Sequence, residues 1–352
     1  MFYDIHGIVK VKVVSRSPAM KEGYDHYFRA FKTTPFQGEA DYEVYDFSDF
    51  KRPLDTTDLV GGWRGFAGGA FSPRERYAFT WKNGKVKEFA SYANRATNFW
   101  LQLLLVPRGM SLVHAAALEI KGKGVLFPGM GGVGKTLLIA AMRDRADVKF
   151  FGDDLVMVSR EGNCYSYPSD FSIYRYHLTA FSELNGSPAA WYLKRRKIFA
   201  PYYFLKRALN FVAKRTVAPG RPLFEGWGAP YVKVPAESLI PKEREGITTN
   251  LGISAFLKRG SGEEIVTSRM DAKELTARLL RILHLELGEG MNFLRLLARI
   301  GSVNENAFIR DEEGILGSCA GKLACYEVNI PERMDPRTYR ARITETISNL
   351  IT

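Results

Sequence analysis

The residues best suited to chemistry are a glycine-rich loop, a histidine before it and two adjacent aspartates after it. The loop, 129–136, reads GMGGVGKT and fits the pattern G-x-x-x-x-G-K-[ST] without a mismatch. His114 precedes Lys135 by 21 residues, and Asp153 follows Lys135 by 18. In this pattern, glycines turn backbone N–H groups toward phosphate oxygens, the lysine reaches the β- and γ-phosphates, and the hydroxyl binds Mg²⁺. The spacing therefore predicts a phosphate-binding loop.

The nucleotide site is expected to use every position of this loop. An apolar strand precedes the loop, and a helix follows it and adds partial positive charge at its N-terminus. The predicted nucleotide-binding residues are Gly129, Met130, Gly131, Gly132, Val133, Gly134, Lys135 and Thr136. The alternative is a glycine-rich strand-to-helix turn that binds no ligand.

The acidic pair in FFGDDLVMV can divide two tasks. One carboxylate can bind Mg²⁺ while the other takes a proton from an attacking hydroxyl, and the sequence leaves open which does which. A nearby histidine can orient the acceptor or set the protonation state of a carboxylate. The expected catalytic residues are Asp153, Asp154, His114 and Lys135, and the expected metal ligands are Thr136, Asp153 and Asp154. The alternatives are a solvated turn at the pair and a core histidine at 114.

The elements around these residues predict an α/β domain over 109–352. Strands are expected at 113–120, 124–127, within 149–159, at 253–258 and at 323–328, and a helix is expected at 136–142. A further helix spans 271–287, with Asp271 as its cap and Glu274 completing a capping box. A C-terminal helix runs from Pro336, after Asp335, to Leu350.

The first part of the chain, 1–108, is predicted to form a small mixed α/β domain that could recognise substrate. Residues 7–14 alternate as a strand does, and 77–92 form a hairpin around Asn83-Gly84. The glycine-rich stretch 61–69 is interpreted as a loop. A helix is expected over 93–106, ended by Pro107.

Composition excludes several classes of protein. Of the 352 residues, 46% are hydrophobic and 25% charged, as in soluble globular proteins. The longest apolar run, 99–106, is too short to cross a bilayer, and the N-terminus has no signal-peptide pattern, so we expect a cytoplasmic protein. Three cysteines without a CxxC pair provide neither a disulfide framework nor a zinc site, which indicates small buried hydrophobes.

The net charge of +12 is concentrated in 189–224, which has nine lysines and arginines and no acidic residue. An anionic partner would suit this segment. It lies in a predicted basic helical insertion at about 186–232, with a helix over 202–215. It could be a packed insertion, a substrate lid, or a surface for membrane or nucleic acid. Arg175, Arg221 and Lys233 could each contact phosphate or serve packing alone.

The run HAAAL…GKGVLFPGMGGVGKTLLIAAM…FFGDDLVMVS resembles the HPr kinase/phosphorylase family, and is more distantly similar to ATP-dependent phosphoenolpyruvate carboxykinase. The resemblance covers 114–158, and more loosely 231–241, 253–260 and 321–331. It implies a P-loop kinase domain in which 129–136 bind the nucleotide. It also implies that His114 lies near the acceptor phosphate site, and that Asp153 and Asp154 form the acidic pair for metal binding and general-base chemistry.

The resemblance implies Mg²⁺ and ATP as cofactor and donor, and a hydroxyl as acceptor. We therefore expect a kinase that phosphorylates a protein or peptide serine or a small metabolite. One alternative is a nucleotide-dependent switch without an acceptor. The other is a kinase directed to RNA or lipid that docks through the basic segment. The sequence leaves the acceptor's identity and the formation of oligomers open.

Overall fold

The structure is a computed structural model, and it describes residues 1–93, 96–195 and 231–351. The chain is of the α/β class, as predicted. It divides into two compact units. The N-terminal unit contains Met1–Arg108 and Leu287–Asp311, and the second unit contains, among the described residues, 109–195, 231–286 and 312–351. The domain boundaries drawn from the sequence stay a prediction, and most of the expected insertion at 186–232 lies outside the described residues.

The helices begin and end where the local sequence favours it. The described α-helices are α1 Pro18–Phe28, α2 Thr97–Leu105, α3 Lys135–Met142, α4 Pro188–Arg195, α5 Ala272–Leu287, α6 Gly290–Arg299, α7 Glu305–Ala320 and α8 Pro336–Ile351. Asp271 caps α5 by accepting a hydrogen bond from the backbone N–H of Lys273 at 2.7 Å. Asp335 caps α8 in the same way. The predicted cap at Asp271 is thus confirmed, although Glu274 binds Arg278 rather than closing a capping box.

A mixed sheet forms the centre of the N-terminal unit. Its strands are β1 Phe2–Ile5, β2 Val9–Val14, β3 Lys32–Thr33, β4 Tyr42–Asp46, β5 Thr57–Asp58, β6 Arg64–Phe66, β7 Gly69–Ser72, β8 Tyr77–Lys82 and β9 Lys85–Ala90. They lie in the order β3-β1-β2-β4-β9-β8-β7-β6-β5, with β4 parallel to both neighbours. Trp100 stacks on Phe293 beneath this sheet at a ring separation of 5.7 Å. Aromatic packing therefore supplies much of this core.

The hairpin of β8 and β9 and the strand within 7–14 confirm the predictions for this unit, with Asn83 and Gly84 at positive φ in the turn. The expected loop over 61–69 is wrong at 64–66 and at 69, because β6 lies there and pairs with β7. A Cβ on Gly69 would lie 2.3 Å from the carbonyl oxygen of Phe79. The glycine permits a close strand contact there, and it does not mark irregular chain.

The second unit has a mixed sheet of its own. Its strands are β10 Met110–Val113, β11 Ala115–Ile120, β12 Lys123–Pro128, β13 Val148–Gly152, β14 Val156–Ser159, β15 Asn163–Tyr165, β18 Thr248–Gly260, β19 Val266–Arg269 and β20 Ala324–Pro331; β16 Phe171–Tyr174 and β17 Tyr231–Val234 pair separately. Along the sheet the order is β10-β14-β15-β18-β12-β11-β13, and β20 pairs with β18 and β19. Strands β12, β18 and β20 run parallel to one another.

One predicted strand of this unit is divided by a site residue, and another is preceded by a strand that the sequence did not predict. The strand expected over 113–120 is two strands, β10 and β11, with His114 at the bend between them. The strand expected within 149–159 is β14, and β13 precedes it across the acidic pair. In both places polar side chains interrupt an apolar run. The helix predicted at 136–142 is confirmed as α3.

The remaining sequence predictions concern membrane spans and cysteines. Among the described residues, none of the helices combines the length and apolar character needed to cross a bilayer. Cys164, Cys319 and Cys325 are free and buried, as expected. The helix predicted over 202–215 lies outside the described residues.

Candidate functional site

The glycine-rich loop joins the end of β12 to the start of α3. Two of its glycines have positive φ, Gly132 at 83° and Gly134 at 114°. A Cβ at Gly129 would lie 2.7 Å from the carbonyl oxygen of Leu257, in the parallel neighbour β18. The glycines therefore permit both a left-handed backbone and a close approach to the next strand, as a phosphate-binding loop requires.

The other loop positions divide into exposed and buried residues. Met130 is half exposed, and a Cβ at Gly131 or Gly132 would meet no atom within 4 Å. Val133 is buried in the apolar core together with Leu137 of α3. The outer part of the loop thus faces open space, while Val133 anchors the loop to the core.

Lys135 is buried, and its ammonium points back into the loop. Its Nζ donates to the carbonyl oxygens of Gly129 at 2.7 Å and Met130 at 3.3 Å, and it lies 3.0 Å from Nε2 of His114. Burial lowers the pKa of Lys135, and the charges of Asp153 and Asp154 oppose that effect. The lysine is held at the mouth of the loop by three contacts.

His114 lies at the bend between β10 and β11, and only 6% of it is exposed. The pairing of Ala115 with Pro128 places the histidine opposite the start of the loop. Its Nδ1 lies 3.8 Å from a carboxylate oxygen of Glu286. Burial, and then the neighbouring charge of Lys135, lower the pKa of His114 to about 4, so the ring is neutral at pH 7.

Asp153 lies directly beyond β13 and is almost completely buried. Its Oδ2 accepts a hydrogen bond from the hydroxyl of Thr136 at 2.8 Å. Its Oδ1 is buried and has no hydrogen-bond partner among the described residues. Burial raises the pKa of Asp153 to about 7, with a further contribution from the charge of Asp154. A buried carboxylate with one unpartnered oxygen is suited to binding a cation.

Asp154 is less buried than its neighbour. Its charge raises the pKa of Asp153, Glu286 and Tyr174, so Asp154 lies near those three groups. The two adjacent carboxylates therefore occupy different environments. One is enclosed against the helix that follows the loop, and the other is partly open to solvent.

The donor set fits Mg²⁺ and does not form an all-protein metal cage. The Thr136 hydroxyl and the Asp153 carboxylate are hard oxygen ligands of the kind Mg²⁺ prefers. Across 1–93, 96–195 and 231–351, three or more His, Cys, Asp or Glu residues nowhere cluster as a metal site would require. Mg²⁺ commonly uses one or two carboxylates together with water and phosphate oxygens. The arrangement is thus suited to a metal that arrives with a phosphate ligand.

Sequence reasoning missed two neighbours of the loop. Glu286 is near the C-terminal end of α5 and approaches His114. Tyr339 of α8 is buried, and its hydroxyl donates to the carbonyl oxygen of Gly134 at 3.0 Å. Each lies more than 150 residues from its partner in the chain, and only the fold brings them together. No local motif in the sequence marks either one.

The three additional cations named from the sequence differ in position. Lys233 on β17 lowers the pKa of Asp153 by its charge, so it lies near the acidic pair. Its Nζ also lies 3.4 Å from the carbonyl oxygen of Asp170. Arg175 is exposed just after β16. Arg221 lies outside the described residues.

The chain matches no protein-family model and none of the curated proteins.

Proposed function

We propose that this protein is a Mg²⁺- and ATP-dependent kinase that transfers the γ-phosphate to a hydroxyl group. The second unit would then be a P-loop kinase domain similar to that of the HPr kinase/phosphorylase family. The main support is one observation: the hydroxyl of Thr136, directly after the loop lysine, is hydrogen-bonded to the buried carboxylate of Asp153, whose other oxygen has no partner among the described residues. A loop that only joined a strand to a helix would have no need of this costly carboxylate.

The loop and its first helical residues would bind the triphosphate. The backbone N–H groups of 129–134 and the N-terminus of α3 provide donors and partial positive charge for phosphate oxygens. Lys135 adds a full charge at the mouth of the loop. These groups would hold the γ-phosphate and offset charge that develops during transfer.

Thr136 and Asp153 would hold Mg²⁺, which would supply positive charge to offset that of the phosphates. The cation would also remove the cost of ionising Asp153 in its buried position. The metal role is therefore assigned to the more buried of the two carboxylates.

Asp154 is the better candidate for the general base, because it is less buried and adjoins the same region. In the transfer step, the acceptor oxygen forms a bond to the γ-phosphorus while the bond from that phosphorus to the bridging oxygen of ADP breaks. The acceptor's hydroxyl proton passes to Asp154, and ADP leaves with the bonding electrons. The acceptor is a protein or peptide serine or a small metabolite.

The test is a transfer assay with γ-labelled ATP, Mg²⁺ and a cell extract separated into protein, small-molecule, lipid and RNA fractions. Asp153→Asn and Asp154→Asn are assayed beside the wild type, and binding of ATP is measured for each. We expect label in the protein or small-molecule fraction. We also expect both substitutions to abolish transfer, while Asp154→Asn retains ATP binding.

The assay also separates the rival functions. Label in the RNA or lipid fraction, lost when salt is raised, would replace the proposed acceptor with an anionic polymer or surface. ATP binding without label in any fraction would refute the kinase and leave a nucleotide-dependent switch. Absence of ATP binding would refute both.

A further inference from the structure

The ammonium of Lys135 has all of its hydrogen-bond donors engaged by protein groups. An ammonium group has three N–H donors and no acceptor. The structure gives Nζ three partners: the carbonyl oxygens of Gly129 and Met130, and Nε2 of His114. A phosphate oxygen that is to receive a hydrogen bond from Lys135 must therefore displace one of the three.

The histidine is the partner that can be displaced without moving the loop. The two carbonyl groups belong to the first residues of the loop, so their release would require the backbone to move. His114 is contributed by a different segment, at the bend before β11, and contacts the lysine through its side chain alone. A charged phosphate oxygen is also a stronger acceptor for an ammonium than a neutral imidazole nitrogen.

We propose that His114 occupies the hydrogen bond of Lys135 that a nucleotide phosphate takes, so that nucleotide binding passes the lysine from the histidine to the phosphate. This inference rests on the proposed nucleotide-binding function of the loop. It changes the role of His114, because the histidine's partner in the free protein is the lysine and not the acceptor.

The same contact determines the tautomer of the ring. Because the lysine can only donate, Nε2 of His114 accepts and carries no proton. The proton of the neutral ring is therefore on Nδ1, the atom that lies 3.8 Å from the carboxylate of Glu286. Glu286 is thus a positioning residue: its carboxylate favours the tautomer in which Nε2 can accept.

Release of the histidine makes recognition of the acceptor depend on binding of the nucleotide. Once Lys135 binds phosphate, Nε2 of His114 becomes an acceptor without a partner beside Asp154, whose charge acts on His114. It can then accept a hydrogen bond from an N–H or a second hydroxyl of the acceptor, which leaves the single proton of the reacting hydroxyl for Asp154. The acceptor is consequently recognised only after the nucleotide has bound, which limits the chance that the acceptor site is assembled without a phosphate donor.

The test uses histidine ¹⁵N NMR and nucleotide binding on the full chain. The protein has five histidines, and His177 is a matched reference. His177 is also buried, but its Nδ1 accepts a hydrogen bond from the backbone N–H of Tyr174 at 3.2 Å, so its proton is on Nε2. We expect opposite tautomers for His114 and His177 in the free protein. Adding the non-hydrolysable analogue AMP-PNP with Mg²⁺ should shift Nε2 of His114 and leave His177 unchanged.

The effect of His114 on nucleotide affinity can be measured by substitution. His114→Leu removes the competing acceptor, so Mg²⁺·AMP-PNP should bind about 5-fold more tightly than to the wild type. Glu286→Leu should decrease the Nδ1–H population of His114, whereas Glu286→Gln, which retains an acceptor, should preserve it. The NMR titration of the wild type decides the proposal if His114→Leu does not fold.

Two results would overturn the exchange while leaving the proposed function intact. One is binding of AMP-PNP by the wild type with no change at His114, and the other is equal or weaker binding by folded His114→Leu. Failure of the wild type and the variant to bind the nucleotide at all would instead refute the proposed function, and the exchange with it.

Discussion

Gly134 is the position where the loop is most sensitive to a single methyl group. It precedes α3 with φ at 114°, a conformation that side chains with a Cβ rarely adopt. A Cβ there would lie 2.8 Å from the hydroxyl oxygen of Tyr339 and 2.9 Å from the ring carbon that bears it. Tyr339 is fully buried and bonded to the same residue, so it cannot move away freely. Gly134→Ala therefore has a conformational and a steric cost.

The two costs can be estimated separately. A residue with a Cβ in a left-handed conformation costs about 1–2 kcal/mol, and overpacking a rigid core costs about 1–3 kcal/mol. We expect Gly134→Ala to lower the free energy of unfolding by about 2–5 kcal/mol in total. Since relief of the overlap requires α8 or the loop to shift, nucleotide binding should weaken as well.

Two other glycines of the loop serve as matched controls. Gly132 has φ at 83° and open space around its missing Cβ, so Gly132→Ala has only the conformational cost, about 1–2 kcal/mol. Gly131 has open space and is not at positive φ, so Gly131→Ala should change stability by less than about 1 kcal/mol. Urea unfolding of the three variants measures the free-energy cost of each added methyl group. Equal costs for Gly132→Ala and Gly134→Ala would refute the steric part of the reasoning.

A double-mutant cycle with Tyr339→Phe isolates the contact. Alone, Tyr339→Phe removes the hydrogen bond to Gly134 and should cost about 1 kcal/mol. Combined with Gly134→Ala, it also removes the atom closest to the new Cβ, so the double variant should be more stable than the sum of the single effects by about 1 kcal/mol. Strict additivity of the two free-energy changes would show that Tyr339 moves away from the new Cβ without an energetic cost.

Two further predictions concern buried polar groups. Thr136→Val should destabilise the protein by about 1–3 kcal/mol in urea unfolding, because it leaves Oδ2 of Asp153 without its donor, while Thr136→Ser should restore most of the loss. Burial lowers the pKa of His177 from 6.5 to about 4, so the unfolded chain binds a proton that the folded chain excludes in this range. The contribution of His177 to the free energy of unfolding should therefore fall by about 3 kcal/mol as the pH falls from 6.5 to 4. His177→Gln should remove that part of the pH dependence of urea unfolding. An unchanged pH dependence would contradict the assignment.

Local chemistry predicts much of this fold. The Asp271 cap, the Asn83-Gly84 turn and the alternation of β2 depend on residues close together in the chain, and the structure confirms each of them. The glycine-rich stretch 61–69 was misjudged for a physical reason. Glycine is used both where φ is positive and where two strands must approach closely, and composition does not distinguish the two uses.

The candidate site also contains residues that the sequence does not predict, because their partners are distant in the chain. Motif spacing predicts a phosphate-binding loop, and the fold adds what surrounds it: Tyr339 lies 205 residues beyond Gly134, and Glu286 reaches His114 from a helix of its own. Such partners depend on packing of distant segments, for which a single sequence has no local pattern.

Strand register explains why the histidine binds the lysine at all. The pairing of β11 with β12 sets Ala115 against Pro128, so the residue before β11 meets the residue after β12, where the loop begins. A shift of one residue would reverse the face on which each side chain of β11 lies. Ala116 and Leu118 lie in the core cluster that contains Phe127, whereas Ala115 and Ala117 lie in a second apolar cluster. A shift would put alanine in place of Leu118 and leave the first cluster underfilled. The apolar core therefore enforces the register, and the register presents His114 to Lys135 at 3.0 Å. The proposed exchange between histidine and phosphate is thus a consequence of how the sheet packs as well as of the loop motif.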